Sequence, residues 1–456
     1  MAPKHQKRGR FAIAPLLIGL TLFALAGCAG VEVQTPAAQA AFSGAFAEAQ
    51  ALARNHSALS GQAREANAVR IEALLAQLDD ATLGRDAGRL PVGDPLYNFA
   101  GRALLNRGLP LPRPFDRGDW NFDAAGRPAA DRDGYRPPVK VGVLLPLSGG
   151  QAAAASAVRD GFLSGYYGES RRKPEVRFYD TAGGARAAYA RAVAEGNDFV
   201  VGPLGREEVD AVFSDDTPQV SLLALNRGSR TPPPGSASFS LSPEDEGISI
   251  AHYLIERGAR RVLIVTGGED AQRRSAGAAK AQLERRGVQV AGNIGIGADL
   301  APLAQGVDAV LLAMKGSQAR TLVPQLALAG INAGTRVATS QITSGTGKPD
   351  DDSALDGIAY PTETWIGARA VAGLPSQAGA AARLDTAKGP AARLFAFGFD
   401  AWLVTAYLER IALSNNAEIA GATGRLSLDG FGNVLRRPSW SRYSGGVPVP
   451  LDDGAR

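Results

Sequence analysis

The feature that most constrains the fold is a change of pattern at Val139, where short apolar runs begin to alternate with amphipathic stretches. Strand-length runs separated by helix-length stretches are typical of βαβ units, in which helices cover a parallel sheet. A first cycle predicts strands at 141–145, 176–179, 198–201, 220–225 and 239–241, and helices at 152–167, 185–194 and 206–213. The sequence therefore predicts one complete α/β lobe in this region.

A second cycle begins at Ser242. This serine and Pro243 precede Glu244 and Asp245, an arrangement that caps a helix start and complements its dipole, so a helix is predicted at 244–257. The rest of the cycle predicts strands at 261–265, 288–290, 309–314 and 336–339, and helices at 271–286 and 318–329. A long helix at 395–413 should return to the first lobe, and the tail from 424 to Tyr443 alternates like a hairpin. Two lobes joined by crossing segments make a clamshell.

Residues 1–27 have the pattern of an export signal. Four cations, at positions 4, 7, 8 and 10, precede an apolar run of about 14 residues, short of the roughly 20 that a membrane-spanning helix needs. The segment Leu25-Ala26-Gly27-Cys28 places small residues directly before a cysteine and resembles the lipobox of bacterial lipoproteins. We therefore expect removal of residues 1–27 and lipidation of Cys28.

Cys28 also bears on stability and location. It is the only cysteine, so an intrachain disulfide is excluded and stability has to come from a packed core. Ala29 and Gly30 follow it, and the aspartate that retains enteric lipoproteins in the inner membrane is not present at the second position. The sequence therefore predicts a lipid anchor on the periplasmic face of the outer membrane.

Three further segments precede or make up the predicted clamshell. Residues 28–40 are interpreted as a tether, and residues 41–83 repeat apolar positions at helical spacing and predict a small helical region. Residues 84–138 are rich in Gly and Pro and are interpreted as a linker. Residues 139–450 are assigned to the two lobes.

Composition and charge exclude several classes of protein. Hydrophobic residues make up 45% of the chain and charged residues 21%, which is typical of a globular protein. The formal charge of +4 falls to zero once residues 1–27 are removed, because that segment holds four cations and no acids. The net charge therefore gives no reason to expect nucleic acid as a partner.

Several strings within the predicted lobes resemble known families. Residues 139–149 (VKVGVLLPLSG) are similar to the first strand and turn of periplasmic proteins of the branched-chain amino-acid-binding type. More narrowly, FYDT, FVVGPL, LALN and FSLSPEDE resemble, in that order, strings of the LppC or LpoA family of penicillin-binding protein activators; they lie at 178–181, 199–204, 223–226 and 239–246. The string GRLSLD at 424–429, followed by Trp440, fits the end of that family.

The resemblance implies a two-lobed clamshell of the type I periplasmic binding protein class, with parallel sheets, preceded by a small α-helical region. It also implies an outer-membrane lipoprotein that binds and stimulates a bifunctional peptidoglycan synthase, a class A penicillin-binding protein, and thereby regulates cell-wall synthesis. Well-known members carry a longer helical-repeat domain before the clamshell, which puts reach across the periplasm and the identity of the synthase in question.

The sequence lacks the patterns of common catalytic sites. After the signal only His56 and His252 occur, and neither lies in a motif that pairs a base with a nucleophile. The sequence has no Cys or His cluster, and Asp350–Asp352 lacks the spaced oxygen ligands of a calcium loop. The run at 345–348 lacks the earlier glycine and the hydroxyl of a phosphate loop. We therefore expect no catalysis, no metal and no cofactor.

A cleft between the lobes is the remaining candidate site, because parallel sheets place ligands beyond the carboxyl ends of their strands. The candidate residues follow predicted strands: Ser148, Gly149, Pro203, Leu204, Gly205, Asn226, Arg227, Glu269, Lys315, Ser317 and Gln341. An amino-acid receptor presents hydroxyls after its third strand, whereas this turn is Leu204-Gly205-Arg206. The same residues also fit turns that the fold requires.

Two functional hypotheses remain open. One is a regulatory adaptor that binds a synthase. The other is a periplasmic receptor for amino acids or similar small ligands, held in the inter-lobe cleft and delivered to an ABC transporter.

Overall fold

Four helices form the first part of the fold. The computed structural model describes residues 42–451, except 118–119, 121, 123–125, 215–217, 368 and 415–416. Cys28 and the predicted signal and tether lie outside the described residues. The helices are α1 (Gly44–Arg54), α2 (Gly61–Ala76), α3 (Asp80–Gly88) and α4 (Tyr97–Asn106). Side-chain oxygens of Ser43 and Asp79 accept backbone N–H groups of Phe46 and Thr82, which fixes the starts of α1 and α3.

The prediction of a linker at 84–138 is wrong for residues 84–106, where the end of α3 and all of α4 lie. Tyr97 and Leu104 are buried with Phe46, Ile71 and Leu75 in one apolar cluster. Glycines and prolines separate and follow these helices, so counting them over the whole segment hid apolar residues at helical spacing. We call residues 42–111 the helical module.

Lobe 1 is a parallel sheet with helices between its strands. Its strands are β1 (Lys140–Leu145), β2 (Glu175–Asp180), β3 (Phe199–Val201), β4 (Leu222–Ala224) and β5 (Ala237–Ser238). Its helices are α5 (Ala152–Gly168), α6 (Ala185–Ala194) and α7 (Arg206–Val212). The strand order is β2-β1-β3-β4-β5. Residues 141–145 are fully buried, as expected for a strand covered on both faces. The strand predicted at 239–241 corresponds to β5, which begins two residues earlier and ends at Ser238.

Lobe 2 repeats this plan. Its helices are α8 (Pro243–Glu256), α9 (Asp270–Arg285), α10 (Gly316–Leu328) and the short α11 (Pro349–Asp352). Its strands are β6 (Arg261–Thr266), β7 (Gln289–Gly295), β8 (Ala309–Ala313), β9 (Thr335–Ala338) and β10 (Ala359–Thr362). The sequence analysis missed β10, because Pro361 lies inside it and proline disfavours a central strand.

A long return segment then packs on lobe 1. It contains α12 (Gln377–Ala381), α13 (Ala391–Leu413), β11 (Ile419–Ala420), β12 (Arg425–Leu428) and β13 (Val434–Arg437). As predicted, α13 packs on α5, and the two backbones approach closely: a Cβ on Gly161 would lie 1.9 Å from the carbonyl oxygen of Phe395. Although α13 is long and apolar enough to span a membrane, 72% of its apolar 18-residue stretch is buried inside the protein, as in a core helix.

The chain ends with β14 (Ser439–Ser444) and β15 (Val447–Leu451), which lie in the sheet of lobe 2. The order of that sheet is β15-β14-β10-β9-β8-β6-β7, with β14 antiparallel to β10. The prediction that residues 424–443 form one hairpin is therefore wrong: β12 pairs with β13, and β14 leaves for the other lobe after Pro438. Three segments thus cross between the lobes: 239–242, the chain after β10, and the chain at Pro438.

Candidate functional site at the cleft and hinge

The turn after β1 holds its polar groups within lobe 1. The Ser148 hydroxyl donates to Asp180 Oδ2 at 2.6 Å, and the backbone N–H of Leu147 donates to Asp180 Oδ1 at 2.9 Å. These hydrogen bonds, that of Ser148 first, hold the pKa of Asp180 below its usual range. Gly149 follows with a φ of 78°, a left-handed conformation that favours glycine. Asp180 was not among the predicted site residues.

The turns after β3 and β4 are joined to each other. Asn226 Nδ2 donates to the carbonyl oxygen of Leu204 at 3.0 Å, in the turn formed by Pro203, Leu204 and Gly205. The N–H of Gly205 donates to Glu208 Oε2 at 3.0 Å. A carboxylate of the protein therefore lies at the start of α7, next to the turn where an amino-acid receptor would hold its ligand.

On lobe 2 the candidate residues also contact one another. Lys315 Nζ lies 2.6 Å from Glu269 Oε1. Gln272 Nε2 donates to Gln341 Oε1 at 2.6 Å, which joins the turns after β6 and β9. The backbone N–H of Ser317 donates to the carbonyl oxygen of Ser344, in the loop after β9, at 3.4 Å. The predicted residues of lobe 2 thus form one connected edge.

The helix starts along this cleft share a capping arrangement. In α9 the N–H of Glu269 donates to Gln272 Oε1 at 3.1 Å, and in α10 the N–H of Lys315 donates to Gln318 Oε1 at 3.1 Å. Together with Glu208 in α7, a side chain three residues into each helix accepts the backbone N–H at its start. Some of the donors that would attract an anionic ligand are therefore already used.

Contacts across the cleft use other partners. Among the described residues, no hydrogen bond joins the lobe 1 candidates to the lobe 2 candidates. Instead, Arg227 Nη1 donates to Asp245 Oδ1 at 2.8 Å, which links lobe 1 to the first turn of α8. Arg393 Nη1, at the start of α13, donates to Ser340 Oγ at 2.9 Å, next to Gln341. Arg227 is the one predicted residue with a described bond across the cleft.

Two buried carboxylates and two partly buried arginines lie where the crossing segments meet. We define the hinge cluster as Glu246, Glu363, Arg393 and Arg436. Arg393 Nε lies 2.7 Å from Glu363 Oε1, and its Nη2 lies 3.8 Å from Glu246 Oε2. Glu246 is 5% exposed and Glu363 is 3% exposed. Burial lowers the pKa of Arg436, with the nearby carboxylate of Glu363 as the main opposing influence.

Sequence reasoning missed the hinge cluster. Glu246 was noted only as the last residue of the string FSLSPEDE, and the structure places it in the first turn of α8. Its ion pair could not be inferred, because Arg393 lies far away in the sequence and no local pattern links them. Two carboxylates on α8 and after β10 would have been a signal only with the fold already known.

Asp400 of α13 holds the turn between β11 and β12. Its Oδ2 accepts the N–H of Thr423 at 2.7 Å and the hydroxyl of Thr423 at 2.6 Å, and its Oδ1 accepts the N–H of Ala422 at 2.5 Å. Burial raises the pKa of Asp400 to about 7, against the lowering effect of these bonds. The geometry is that of a structural anchor beside the hinge.

The two histidines lie away from the cleft edge. His56 packs edge-on against Phe99 in the helical module, and burial lowers its pKa to about 4. His252 is on α8, with Nε2 2.9 Å from Gln282 Nε2. Within the described ranges, no group of three or more His, Cys, Asp or Glu side chains is arranged to hold a metal ion.

The two parallel-sheet lobes, the crossings and the cleft define a module of the type I periplasmic-binding-protein-like class. Solved structures agree with this fold. The C-domain of LpoA from Haemophilus influenzae, described as a regulator of PBP1A, matches with a TM-score of 0.59 and 24% identity, over 68% of this chain and 99% of that one. A "putative branched-chain amino acid ABC transporter" structure from Chromobacterium violaceum gives 0.53 and 26%, over 67% of this chain and 100% of that one.

Sequence comparison then gives the family. The profile described as "LppC putative lipoprotein" matches residues 135–287 and 279–446, and the chain belongs to this family. A penicillin-binding protein activator LpoA from Photobacterium profundum is 28% identical over 349 residues, which is 67% of this chain and 56% of that relative. The chain therefore spans about half the length of that relative. The predicted fold class and family are confirmed.

Proposed function

We propose that this protein is a lipid-anchored lipoprotein of the outer membrane that binds and stimulates a class A penicillin-binding protein and has no catalytic activity of its own. Membership of the LppC family supports the partner class. The relatives of this chain are named as activators and not as enzymes.

One observation carries the proposal: polar groups along the edges of the cleft already bond to other groups of the protein. Glu208, Gln272 and Gln318 cap the helix starts, and Glu269 and Lys315 neutralise each other at 2.6 Å. A ligand would have to displace these bonds, at a cost of about 1–3 kcal/mol for each buried group left unpaired and of less than about 1 kcal/mol at the exposed Glu269–Lys315 pair. The cleft edges therefore offer a small anion few free donors.

The receptor hypothesis is the second candidate. It is favoured by the likeness to the Chromobacterium violaceum structure, whose title names a branched-chain amino acid ABC transporter. Under this hypothesis the polar groups of Ser148 and Asn226 would turn from their present partners toward a ligand.

Synthesis of glycan strands from lipid-linked precursor decides between the two hypotheses. The measurement compares a class A synthase from the same cell with and without the purified protein, and a parallel calorimetric titration tests branched-chain amino acids. We expect faster synthesis, no heat of binding, and unchanged stimulation by S148A and N226A. Micromolar binding of an amino acid that both variants lose, with no stimulation of any class A synthase, would establish the receptor.

The anchor is tested separately at Cys28. The thiol is the atom that lipobox processing modifies, so Cys28→Ala should abolish incorporation of a fatty-acid analogue, and Cys28→Ser serves as a second non-thiol variant. Membrane fractionation of the unaltered protein should give the outer-membrane fraction. Recovery in the inner membrane would contradict the proposed location, and labelling of the Cys28→Ala chain would contradict the proposed anchor.

A further inference from the structure

The helical module contacts lobe 1 through α2 and α4. Glu65 Oε1 lies 2.5 Å from Arg230 Nε, in the loop between β4 and β5. Phe99 packs edge-on against Phe431, with ring centroids 4.7 Å apart, and the Arg102 guanidinium lies 3.8 Å from the centroid of the same Phe431 ring. Phe431 is in the β12–β13 turn, which is joined to lobe 1 because the N–H of Ser238 donates to the adjacent Gly432 carbonyl at 2.9 Å.

The same module contacts lobe 2 through the start of α3 and the end of α4. Asp80 Oδ2 accepts a hydrogen bond from Arg286 Nη1 at 2.5 Å, and the Asn106 carbonyl accepts one from Arg285 Nη1 at 3.1 Å. Gly108 lies against the ring of His252, since a Cβ on this glycine would be 2.5 Å from His252 Nε2. These three partners lie on α8 and at the C-terminal end of α9.

The two sets of contacts are joined through one packed core. All four helices contribute to a single apolar cluster that includes Phe46, Leu75, Leu83 and Tyr97. Arg107 at the end of α4 is 6% exposed and donates to the carbonyl of Leu75 at 2.8 Å. Because packed interiors move as units, the lobe 1 and lobe 2 contact points on the module keep a fixed separation.

A rotation of one lobe about the crossing segments changes the distance between Arg230 and Arg286. Hinge motions concentrate their changes in a few connecting residues while the packed parts stay rigid. The helical module cannot follow both lobes at once, so such a rotation has to break one of its two sets of contacts.

We propose that the helical module is a brace that fixes the angle between the two lobes. This role concerns the conformation of the clamshell and does not depend on which partner the protein binds. It differs from a spacer, whose contacts with the lobes would be dispensable.

Distances between spin labels test the brace in the full chain. Arg191 on α6 and Leu328 on α10 are exposed, and Leu328 is 88% exposed, so R191C and L328C place one label on each lobe of a C28A chain. The parent should give one narrow distance. The double change R285A with R286A should shift or split it by more than about 2 Å, the scale of hinge rearrangements. R273A is the matched control, because Arg273 is on the same helix, is 59% exposed and, in the part of the chain that the structure describes, pairs with the nearby Gly268 and Asp270.

A charge exchange on the other side separates loss of the brace from misfolding. R230E places two carboxylates together and should shift the distance, whereas R230E combined with E65R restores an opposite-charge pair and should return the parent distance. Unchanged distances in both the R285A/R286A and R230E chains would overturn the brace. If R230E shifts the distance and R230E with E65R does not restore it, the shift is due to misfolding, and this result would also overturn the brace.

Discussion

The hinge cluster and the lobe 2 edge of the cleft contain ion pairs of almost the same length in different surroundings. The Arg393–Glu363 pair is 2.7 Å long, and the Lys315–Glu269 pair is 2.6 Å long. The side chains of Arg393 and Glu363 are 25% and 5% exposed, whereas those of Lys315 and Glu269 are 45% and 49% exposed. A buried ion that loses its partner cannot recover its hydration, but an exposed one returns to water. We therefore rank these ion pairs by how deeply they are buried, and not by their length, when we predict their effect on the free energy of unfolding.

The largest expected effect is that of Glu363→Ala. The change leaves Arg393 and Arg436 close together with one buried carboxylate fewer, so we expect the free energy of unfolding to fall by about 3–5 kcal/mol. Chemical denaturation measures the loss, and Glu269→Ala is the control at an exposed pair. Similar losses in the two variants would contradict the ranking by burial.

Asp400 should make stability depend on pH. Its pKa in the folded protein is raised to about 7 by burial, against an unfolded value of about 3.9, so between these values the folded state binds more protons than the unfolded one. This group's contribution to the free energy of unfolding is therefore fully present below about pH 4 and falls as the pH rises toward 7, by at most about 4 kcal/mol.

Denaturation of the parent and of Asp400→Asn between pH 4.5 and 8 isolates this contribution. The free energy of the parent relative to the variant should decrease across that range, because asparagine does not titrate. The Arg436 charge and the three donors from Ala422 and Thr423 oppose the shift, so they set how much of the upper limit is observed. Parallel curves for the two proteins would show that Asp400 is ionised throughout.

An intermediate effect on the free energy of unfolding is expected from Arg227→Ala, which removes the Arg227–Asp245 bond across the cleft. The two side chains are 32% and 38% exposed, so we expect a loss of about 0.5 kcal/mol that diminishes with added salt. Arg273→Ala is an equally local control on lobe 2. A loss as large as that of Glu363→Ala would place Arg227 with the hinge cluster instead of the cleft edge.

Sequence reasoning succeeded where structure follows from local pattern and failed where it depends on distant residues. The helix at 185–194 and the cap at Ser242 were predicted because apolar spacing and capping chemistry are local. β10 was missed because Pro361 opposes a strand and because its place in the sheet depends on pairing with β9 and β14.

The same distinction applies to the candidate site. Turns at the carboxyl ends of the strands were predicted from the topology of parallel sheets, and Glu269 and Lys315 do meet there. The cap from Glu208 to Gly205 is local and could have been predicted from the glutamate three residues into α7. By contrast, Arg393 reaches Glu246 and Glu363 only because separate crossings converge, which no window of sequence records.

The smallest effect is expected from Lys315→Ala at the cleft edge. Its ammonium group pairs with Glu269 in a half-exposed position, where the gain from attraction is nearly offset by desolvation and by ordering of two long side chains. The backbone N–H of Lys315 still donates to Gln318 in the variant, so the start of α10 stays capped. We therefore expect a change in the free energy of unfolding within about 0.5 kcal/mol, measured by denaturation beside Glu269→Gln, which removes the opposite charge. If the protein is an adaptor that binds the synthase outside the cleft, and not a receptor, both variants should also keep full stimulation of the synthase. A loss above about 2 kcal/mol in either variant would show that the cleft edge carries load between the lobes as the hinge cluster does.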